Sequence, residues 1–547
     1  MRSLLRSPVD LAVIVLLSLL LFVAFFDVAM LAPRNIGWLL RGSDSGENAL
    51  GLHAWLNDPH ATLFRTYLLN APDGVTLLFT DSNPLLALLV APLARLAGGD
   101  LQVVGPWLLA CLILQLSLAR ALLSPYAPSR LMLWIGVILL TLLPSLFLRQ
   151  VHVNLCAHWL LLWALWIFID PRRAADGRWW LAVVVCAALV HSYLLLMVAA
   201  IWGSAMLERW IGLEKGRAGR RNLLLGAAGV AIAAATCVFL LVDRGGLVPT
   251  HSFGQFGMPI DAPWNPAIGG LARFLPAYAQ APDRQMEAFQ YLGAGLLLLI
   301  AAMPFSLATG RETIATTGSL HRRLCWLIPA GTVLTMLAIT HRMDYAGVTL
   351  VHIPLSATMV AALDPIRASA RLFWPVAYGL VFAAITAAYR LPPARGQLLL
   401  TVALAVQVLD LGGLAHFTRE TASGARDPSK WIRTRDPRWA MAISAAHDVT
   451  IMPPNAVEQL DLFQELAWRA VDAGRPIRLV YASRSNVVTK ARLKREEQAF
   501  DRGDLDPHRL YVLLPQAKLP KVSADRIAML DGVRVILPRP DGRGKND

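Results

Sequence analysis

Long apolar runs, separated by short polar loops, dominate the first three quarters of the chain. A helix needs about 20 residues to cross a bilayer, and most of these runs come close to that length. The first extends from Leu11 to Phe26, and further candidate spans are 102–123, 131–148, 155–170, 222–242, 291–309, 324–340, 372–390 and 397–414. The pattern predicts an α-helical polytopic membrane protein.

The apolar stretch 179–210 is too long for one span, since a single helix would measure about 48 Å against a hydrocarbon core of about 30 Å. Basic residues flank both of its ends: Arg172, Arg173 and Arg178 before it, and Arg209, Lys215, Arg217, Arg220 and Arg221 after it. Basic loops stay on the cytoplasmic side. Two short spans that turn at His191-Ser192-Tyr193 keep both clusters inside, which brings the total to eleven spans.

Two other apolar segments do not fit a span. Residues 84–97 are short and contain Pro92 and Arg95, which favours an interfacial or re-entrant helix. Residues 348–363 contain His352 and Pro354, so we place them on the outer face. If they spanned the membrane instead, everything after them would be inverted.

Loop charge then sets the orientation. Arg2 and Arg6 precede the first run and no Ala-x-Ala cleavage site follows it, so we predict an uncleaved first helix with a cytoplasmic N-terminus. The other inner loops carry Arg120, Arg130, Arg311, Arg322, Arg323, Arg390 and Arg395. Loops 27–83, 149–154, 191–193, 243–290 and 341–371 fall outside. This arrangement predicts a multi-pass protein of a bacterial inner membrane, with a transmembrane domain over 1–414.

The C-terminal residues 415–547 change character. The runs DVTIMPP, IRLVYAS, RLYVLLP and VRVILPR are typical of β-strands. Between the first two, Leu460, Phe463, Leu466 and Ala470 repeat at helical spacing. Strands that alternate with helices predict a small α/β domain, which the topology places in the periplasm.

Composition agrees with a membrane protein and excludes other classes. The chain has 547 residues, 56% of them hydrophobic and only 16% charged, whereas soluble domains carry about 25% charged residues. The net charge is +14, but the basic residues of the membrane part lie in loops between spans, so they indicate topology and not a nucleic-acid-binding face. The five cysteines form no CxxC pair, which excludes a metal knuckle or redox pair of that type.

Candidate chemistry begins in the first outer loop. Asp44 and Glu47 are three residues apart, so both carboxylates share one face if a helix starts here, with Ser43 or Asp44 as its cap. Asp81 lies just before the segment 84–97. The alternative is a solvated loop in which these carboxylates only cap helices.

A second polar cluster has the sequence RQVHVNLCAHW. Arg149, His152, Asn154 and His158 gather at the outer mouth of two spans, where an arginine with two imidazoles would suit a lipid-linked phosphate. The alternative is interfacial anchoring and hydrogen bonding between helices, and the same choice applies to His191. His341 and Asp344 are weak candidates for a divalent metal ion, because two ligands make no site.

Several segments together resemble a bacterial multi-spanning family related to the GT-C glycosyltransferases. They are SDSGEN (43–48), TDSNPLLAL (80–88), HVNLCAHWLLLWAL (152–165), HSYLLLMV (191–198), HSFGQFGMPIDAPWNP (251–266), EAFQYLGAG (287–295) and RASARLFWP (367–375). The resemblance implies a GT-C-like fold over most of residues 10–415. It also implies transfer of a sugar from a polyprenyl-phosphate-linked donor to a periplasmic glycan or lipid acceptor.

The resemblance assigns roles to particular residues. GT-C enzymes carry their acidic base in the first outer loop, which matches Asp44 and Glu47. Because these two are not adjacent, as the common acidic pair is, the base stays open between them. Arg149, His152, His158 and Arg371 flank the outer ends of spans and are the predicted donor phosphate ligands, while Asp81, His191, Glu287 and Arg367 are further pocket candidates.

Two other classes compete with this hypothesis. One is a lipid or glycan transporter, against which the sequence offers no matched pair of broken helices. The other is a non-catalytic cell-envelope assembly subunit whose C-terminal domain binds a partner. The expected partners are thus membrane lipids and the lipid-linked donor, without nucleic acid. No cofactor is assigned, and a divalent metal ion is left open.

Overall fold

The computed structural model describes most of the chain, and the structural statements below refer to that part. The described residues are 8–97, 101–212, 217–243, 245–280, 282–310, 320, 322–482 and 484–539. Arg2, Arg6, Lys215 and Arg311, on which part of the topology prediction depends, lie outside them.

Helices dominate the first half of the chain. They are α1 (Pro8–Phe25), α2 (Asp44–Asn57), α3 (Pro84–Ala97), α4 (Val104–Leu123), α5 (Arg130–Thr141), α6 (Pro144–Leu148), α7 (Trp159–Ile169), α8 (Pro171–Ala175), α9 (Gly177–Val190), α10 (Ser192–Gly212) and α11 (Arg217–Leu241). Polar caps fix several starts: Ser129 accepts a hydrogen bond from Met132 N ahead of α5, and Asp176 accepts one from Arg178 N ahead of α9. Two short strands, β1 (Arg65–Thr66) and β2 (Val75–Thr76), pair within the first outer loop.

The second half continues the bundle and then changes to mixed structure. Its helices are α12 (Pro282–Glu287), α13 (Ala294–Thr309), α14 (Ile328–Ile339), α15 (Ala357–Leu363), α16 (Trp374–Ala388), α17 (Pro393–Asp410), α18 (Gly412–Ala422), α19 (Arg438–Ala445), α20 (Leu460–Asp472) and α21 (Val487–Arg502). Its strands are β3 (Arg342–Tyr345), β4 (Val348–His352), β5 (Asp448–Met452), β6 (Arg509–Leu513), β7 (Ile527–Leu530) and β8 (Val533–Ile536).

Helix lengths support a membrane protein but do not confirm eleven spans. Five of the described helices are long and apolar enough to cross, or up to seven if each of two bent pairs is one span. The predicted spans at α7, α9, α13 and α14 are helical but shorter. In the run 155–170, the chain keeps 3-10 geometry through Cys156, so the α-helix starts only at Trp159.

The two bent pairs are a feature that the sequence analysis missed. The chain bends by 49° between α5 and α6, next to Pro144, and by 43° between α17 and α18, next to Gly412. Gln407 of α17 donates to the carbonyl of Leu142 at the first bend, at 3.0 Å, and to that of Leu292, also at 3.0 Å. The backbone acceptor freed at the α5 bend is therefore satisfied from α17.

The predicted turn in 179–210 is confirmed. The backbone of His191 is extended, with φ −166° and ψ 137°, and it separates α9 from α10. A single long helix is therefore excluded for this stretch.

Contacts tie the predicted inner loops to one end of the bundle. Asp10, near the start of α1, pairs with Arg120 of α4 and, at 2.9 Å, with Arg130 of α5. In a second cluster, Arg323 binds Glu208 of α10 at 3.0 Å and the carbonyl of Phe168. These pairs gather basic residues of different loops at the end of the bundle opposite the site described below.

Residues 348–363, which we placed on the outer face, do not form one continuous helix. They contain β4, an irregular stretch and the short helix α15, and β4 pairs antiparallel with β3. The segment 84–97 was predicted to be too short for a span, and its helix α3 has only 14 residues.

The C-terminal domain contains a four-stranded sheet in the order β5-β6-β8-β7. Only β5 and β6 are parallel. The strand predicted at IRLVYAS is wrong: Ile477 makes isolated bridges to Leu69 and Val449, and the run does not continue as a ladder. β7, which the analysis missed, completes the sheet, and α20 buries Phe463, Leu466 and Ala470 as predicted.

The C-terminal domain docks on the first outer loop. Ile477 N donates to the carbonyl of Leu68 at 2.8 Å, so the irregular run pairs with that loop. Arg492 of α21 binds Asp73 at 2.7 Å and Asn70 at 2.9 Å. Gln464 of α20 donates to the carbonyl of Ser43, directly before α2. These contacts fix the start of α2, where the site begins.

Candidate functional site

The first predicted carboxylates lie at the start of α2. Ser43 is its cap, since its hydroxyl accepts from Gly46 N at 3.2 Å. Asp44 is the first helical residue and Glu47 lies one turn later, so both face the same side, as the spacing predicts. Their environments differ: the Asp44 side chain is 28% exposed, whereas Glu47 is only 5% exposed.

Asp81 is held in a tight turn beside α2. Its backbone lies in the left-handed region, with φ 52°. Two amides fix this turn, because Asn48 of α2 and Asn154 both donate to the Asp81 carbonyl, the latter at 2.6 Å. A Cβ on Gly51 would lie 2.1 Å from Thr80 Oγ1, so glycine is needed for this close approach. The motifs around Asp44, Asp81 and Asn154, separate in sequence, thus form one unit.

His152 connects the acidic residues. Its Nδ1 lies 3.5 Å from Asp44 Oδ2 and 3.9 Å from Asp81 Oδ2. On the other side of the ring, Nε2 lies 3.3 Å from Glu287 Oε1. An imidazole between carboxylates can accept or deliver a proton at either nitrogen.

Glu287 is surrounded by cations. Besides His152, it pairs with Arg371 and, at 3.3 Å, with Arg149. Arg149 also donates to the carbonyls of Met286 and Glu287, at 2.7 and 2.8 Å. Its side chain is only 3% exposed and is not among the residues that line the cavity described next. The structure therefore places Arg149 against Glu287, and not at the surface where the predicted donor phosphate would bind.

A cavity of about 530 Å³ brings most of the predicted residues together. Its charged and histidine lining consists of Asp44, Glu47, Asp81, His152, His191, Glu287, Arg367, Arg371 and Arg484. His191 Nε2 lies 3.8 Å from Asp81 Oδ1. Arg371 lies over the ring of Tyr193, which also lines the cavity, with its Cζ 5.3 Å from the ring centroid. The cavity thus has carboxylates contributed by α2 and the Asp81 turn, and guanidinium groups contributed by the segment before α16.

The C-terminal domain supplies two cavity residues that the sequence analysis missed. Tyr481 donates its hydroxyl to Asp44 Oδ1 at 3.0 Å. Arg484 binds Asp364, through Oδ2 at 3.1 Å and the carbonyl at 2.6 Å. No signal in the single sequence marks them, because each contact joins residues more than one hundred positions apart.

His158 does not belong to the cavity lining. It is fully buried, with Nδ1 2.9 Å from the Tyr378 hydroxyl and its ring 4.3 Å from that of Trp374. The predicted contact with a donor phosphate is therefore not supported by its position, and the alternative, hydrogen bonding between helices, describes it.

His341 and Asp344 do not converge on a common point. Asp344 pairs with the buried Arg284 and, at 3.1 Å, with Arg342. His341 stacks near Phe253, with ring centroids 5.8 Å apart. Across the described residues, no group of three or more His, Cys, Asp or Glu side chains is spaced to hold a metal ion.

Burial and neighbouring charges shift the pKa values of the acidic residues in different directions. Burial, together with the negative charges of Asp81 and Asp44, raises the pKa of Glu47 well above its usual value. Burial raises the pKa of Asp81 to about 6, against the opposing effect of His152. Burial would also raise the pKa of Glu287, but Arg371 and Arg149 outweigh it and hold that pKa well below the usual value. Glu47 therefore keeps its proton to a higher pH than an ordinary glutamate does, whereas Glu287 stays ionised to a lower pH.

The raised pKa of Asp81 predicts a pH-dependent stability. Between about pH 4 and pH 6 the native state binds a proton that the unfolded chain has lost, so stability should fall as pH rises, by up to about 3 kcal/mol. Asp81→Asn should flatten this decline in thermal unfolding of the detergent-solubilised protein. Asp176→Asn, whose exposed carboxylate has its pKa lowered by Arg178, should leave it in place. An unchanged slope in Asp81→Asn would contradict the assignment.

The chain was also compared with known proteins. Residues 438–538 match a family described as the DUF6311 C-terminal domain, and residues 15–412 match a family described as a domain of unknown function, DUF6311. No curated protein matches the chain. Because the longer match covers more than half of the sequence, the chain belongs to the DUF6311 family.

Proposed function

We propose that this protein is an inverting membrane glycosyltransferase of GT-C type. It would transfer a sugar from a polyprenyl-phosphate-linked donor to a glycan or lipid acceptor. The observation that carries the proposal is the cavity in which Asp44 and two arginines, Arg367 and Arg371, face the same space. Such a reaction needs a base for the acceptor hydroxyl and cations for the leaving phosphate.

Asp44 is the better candidate for the base. It lines the cavity, is partly exposed and accepts a hydrogen bond from Tyr481 that orients it. Glu47 is buried, and its raised pKa disfavours the ionised form that a base must offer. In the proposed step, Asp44 takes the acceptor proton as the acceptor oxygen bonds to the anomeric carbon. The bond from that carbon to the phosphate oxygen breaks, which releases the lipid phosphate.

Arginines suit the leaving phosphate because the guanidinium group forms paired, charge-assisted hydrogen bonds with its oxygens. Arg367 and Arg371 lie four residues apart, between α15 and α16, and Arg484 approaches from the C-terminal domain. His152 lies between Asp44 and Glu287 and would relay protons or hold the donor. Arg149 would act indirectly, by fixing Glu287.

An apolar cavity of about 710 Å³ supports a lipid-linked substrate. It lies among helices of the bundle, and Ile201 of α10, Met303 of α13, Leu334 of α14 and Val376 of α16 are among its lining residues. α16 starts directly after the segment that carries Arg371. A lipid with its phosphate beside Arg371 would therefore find an apolar site for its chain along α16.

One observation supports the transporter alternative and another argues against it. The two bent helix pairs do provide broken helices, contrary to the sequence analysis. Transporters of that kind use such breaks to build a substrate site. Here Gln407 satisfies the carbonyl at the α5 bend, and neither cavity includes the bend residues Leu142 or Leu411. The breaks therefore favour a structural role over a transport site.

The base assignment predicts different outcomes for two neighbouring carboxylates. Asp44→Asn should reduce turnover of a radiolabelled polyprenyl-phosphate sugar by about 10²- to 10⁴-fold, because Asn cannot accept the proton. Glu47→Gln should retain most activity, since Gln keeps the shape of the side chain and Asp44 performs the proton transfer in this assignment. The reverse result would make Glu47 the base.

Activity of both variants would exclude the mechanism. Failure of the wild-type protein to consume any such donor would favour a transporter or an assembly subunit, whose C-terminal domain would then bind the partner.

Arg367→Ala should weaken donor binding by roughly 10- to 100-fold, since a charge-assisted hydrogen bond in a partly desolvated site contributes about 1.5–3 kcal/mol. Arg367→Lys should restore part of the affinity by keeping the charge. The matched control is Arg172→Ala, at an exposed arginine in α8. The affinity of each of the three variants is measured by titration with a polyprenyl-phosphate sugar. An unchanged affinity in Arg367→Ala would show that Arg367 does not bind the donor.

The eleven-span arrangement is part of the proposal, with the N-terminus in the cytoplasm and the cavity and C-terminal domain in the periplasm of a bacterial inner membrane. Alkaline phosphatase fused to the C-terminus should be active in cells, because this enzyme folds only after export. A fluorescent protein that matures only in the cytoplasm should be dark at the same position. The opposite pair of results would invert the topology.

A further inference from the structure

The segment that follows α14 exposes an unusual amount of apolar surface. From Tyr345 to Leu363, through β4 and α15, no residue is buried. The large exposed apolar side chains in this stretch are Tyr345, Val348, Leu350, Val351, Ile353 and Met359, with Val348 62% and Leu350 59% exposed. A contiguous apolar surface of this kind marks a contact with another apolar phase or partner.

The β3–β4 hairpin is anchored through Asp344, close to its turn. Asp344 is buried and paired with Arg284, which also donates to the carbonyls of Gly254 and, at 2.9 Å, Gln255. Ile260 N donates to the Asp344 carbonyl at 2.8 Å. The apolar side chains contribute nothing to this anchoring, so their exposure belongs to an ordered element.

The position of the hairpin indicates what covers it. β3 starts three residues after α14 ends, and α14 itself exposes Ile328, Val333 and Met336, the apolar surface expected of a helix that faces lipid. β4 starts nine residues after α14 ends, and every one of its residues is exposed. An apolar surface that follows a lipid-facing helix so closely in the chain is more simply covered by the same lipid than by a separate protein.

The hairpin cannot lie in the hydrocarbon core. Its two strands pair with each other, and β4 has no further partner strand in the described sheets, so one edge keeps free backbone groups that need water or headgroups. Tyr345 at its turn and Arg342 at its start are residue types that favour the headgroup level. These requirements are met together only at the interface.

We propose that residues 342–363 form a membrane-surface element, with Val348 and Leu350 inserted at the boundary between headgroups and acyl chains. The occupant is the phospholipid surface at the cavity end of the bundle. α15 leads directly into Asp364–Ile366, next to Arg367, so the element would place the cavity at the level of lipid headgroups. This proposal does not depend on glycosyl transfer.

Photo-cross-linking tests it on the full-length chain. p-Benzoylphenylalanine replaces Leu350, and the purified protein is irradiated in vesicles of phosphatidylethanolamine and phosphatidylglycerol. Intact-mass analysis should show roughly tenfold more phospholipid adduct than at Val457, because an interfacial side chain is surrounded by lipid. Val457 is a fair control, since it is 65% exposed but lies in the C-terminal domain. Val348 serves as the second site if the Leu350 variant does not fold.

If something other than phospholipid covers this surface, the cross-linking products differ. A covalent dimer of the chain would assign the surface to a second copy. An adduct to another protein, when the same variant is irradiated in native membranes, would assign it to a protein partner. Either result, or phospholipid adduct no greater than at Val457, would overturn the proposal.

Discussion

One partly buried carboxylate, that of Glu287, connects the chain segments that form the cavity. It lies at the end of α12 and pairs with Arg149, Arg371 and His152, which belong to two other parts of the chain. A buried ion is tolerated only when opposite charges compensate its desolvation, and removing a partner typically costs about 3–5 kcal/mol. The pairing therefore fixes three chain segments relative to one another, and it explains why Arg149 is unavailable to a ligand although its position in the sequence suggested a phosphate clamp.

The second constraint is the docking of the C-terminal domain. The first outer loop has little secondary structure of its own beyond α2, and the strands β1 and β2 have two residues each. Arg492, held by Asp73 and Asn70, and the backbone pairing of Ile477 with Leu68 tie it to the second domain. That contact brings Tyr481 to Asp44. The site is therefore shared by two domains, and neither would present the same side chains without the other.

Sequence reasoning succeeded where the signal is local. Asp44 and Glu47 could be placed on one helical face because their spacing and the Ser43 cap are readable in six residues. The break at His191 could be found because two basic clusters had to stay on one side.

Sequence reasoning failed where a contact with a residue distant in the sequence determines the local structure. The run IRLVYAS has the composition of a strand, but its backbone pairs with the first outer loop at Leu68 and Leu69. His158 and His152, six residues apart, have the same intrinsic chemistry, yet Tyr378 and Trp374 bury one of them while the other lines the cavity. No pattern in the local sequence shows that the run IRLVYAS is not a strand, or which of the two histidines lines the cavity.

The distribution of charge around the cavity restricts what it can bind. A site lined only by arginines would favour any anion, and one lined only by carboxylates would favour a cation or a metal ion. Here carboxylates such as Asp44 line the space together with arginines such as Arg371, and His152 lies among the carboxylates. A ligand that satisfies both kinds of group carries an anionic group and hydrogen-bond donors. A phosphate joined to a sugar has both, and this is the chemical reason why we propose such a donor over a simple lipid or a free anion.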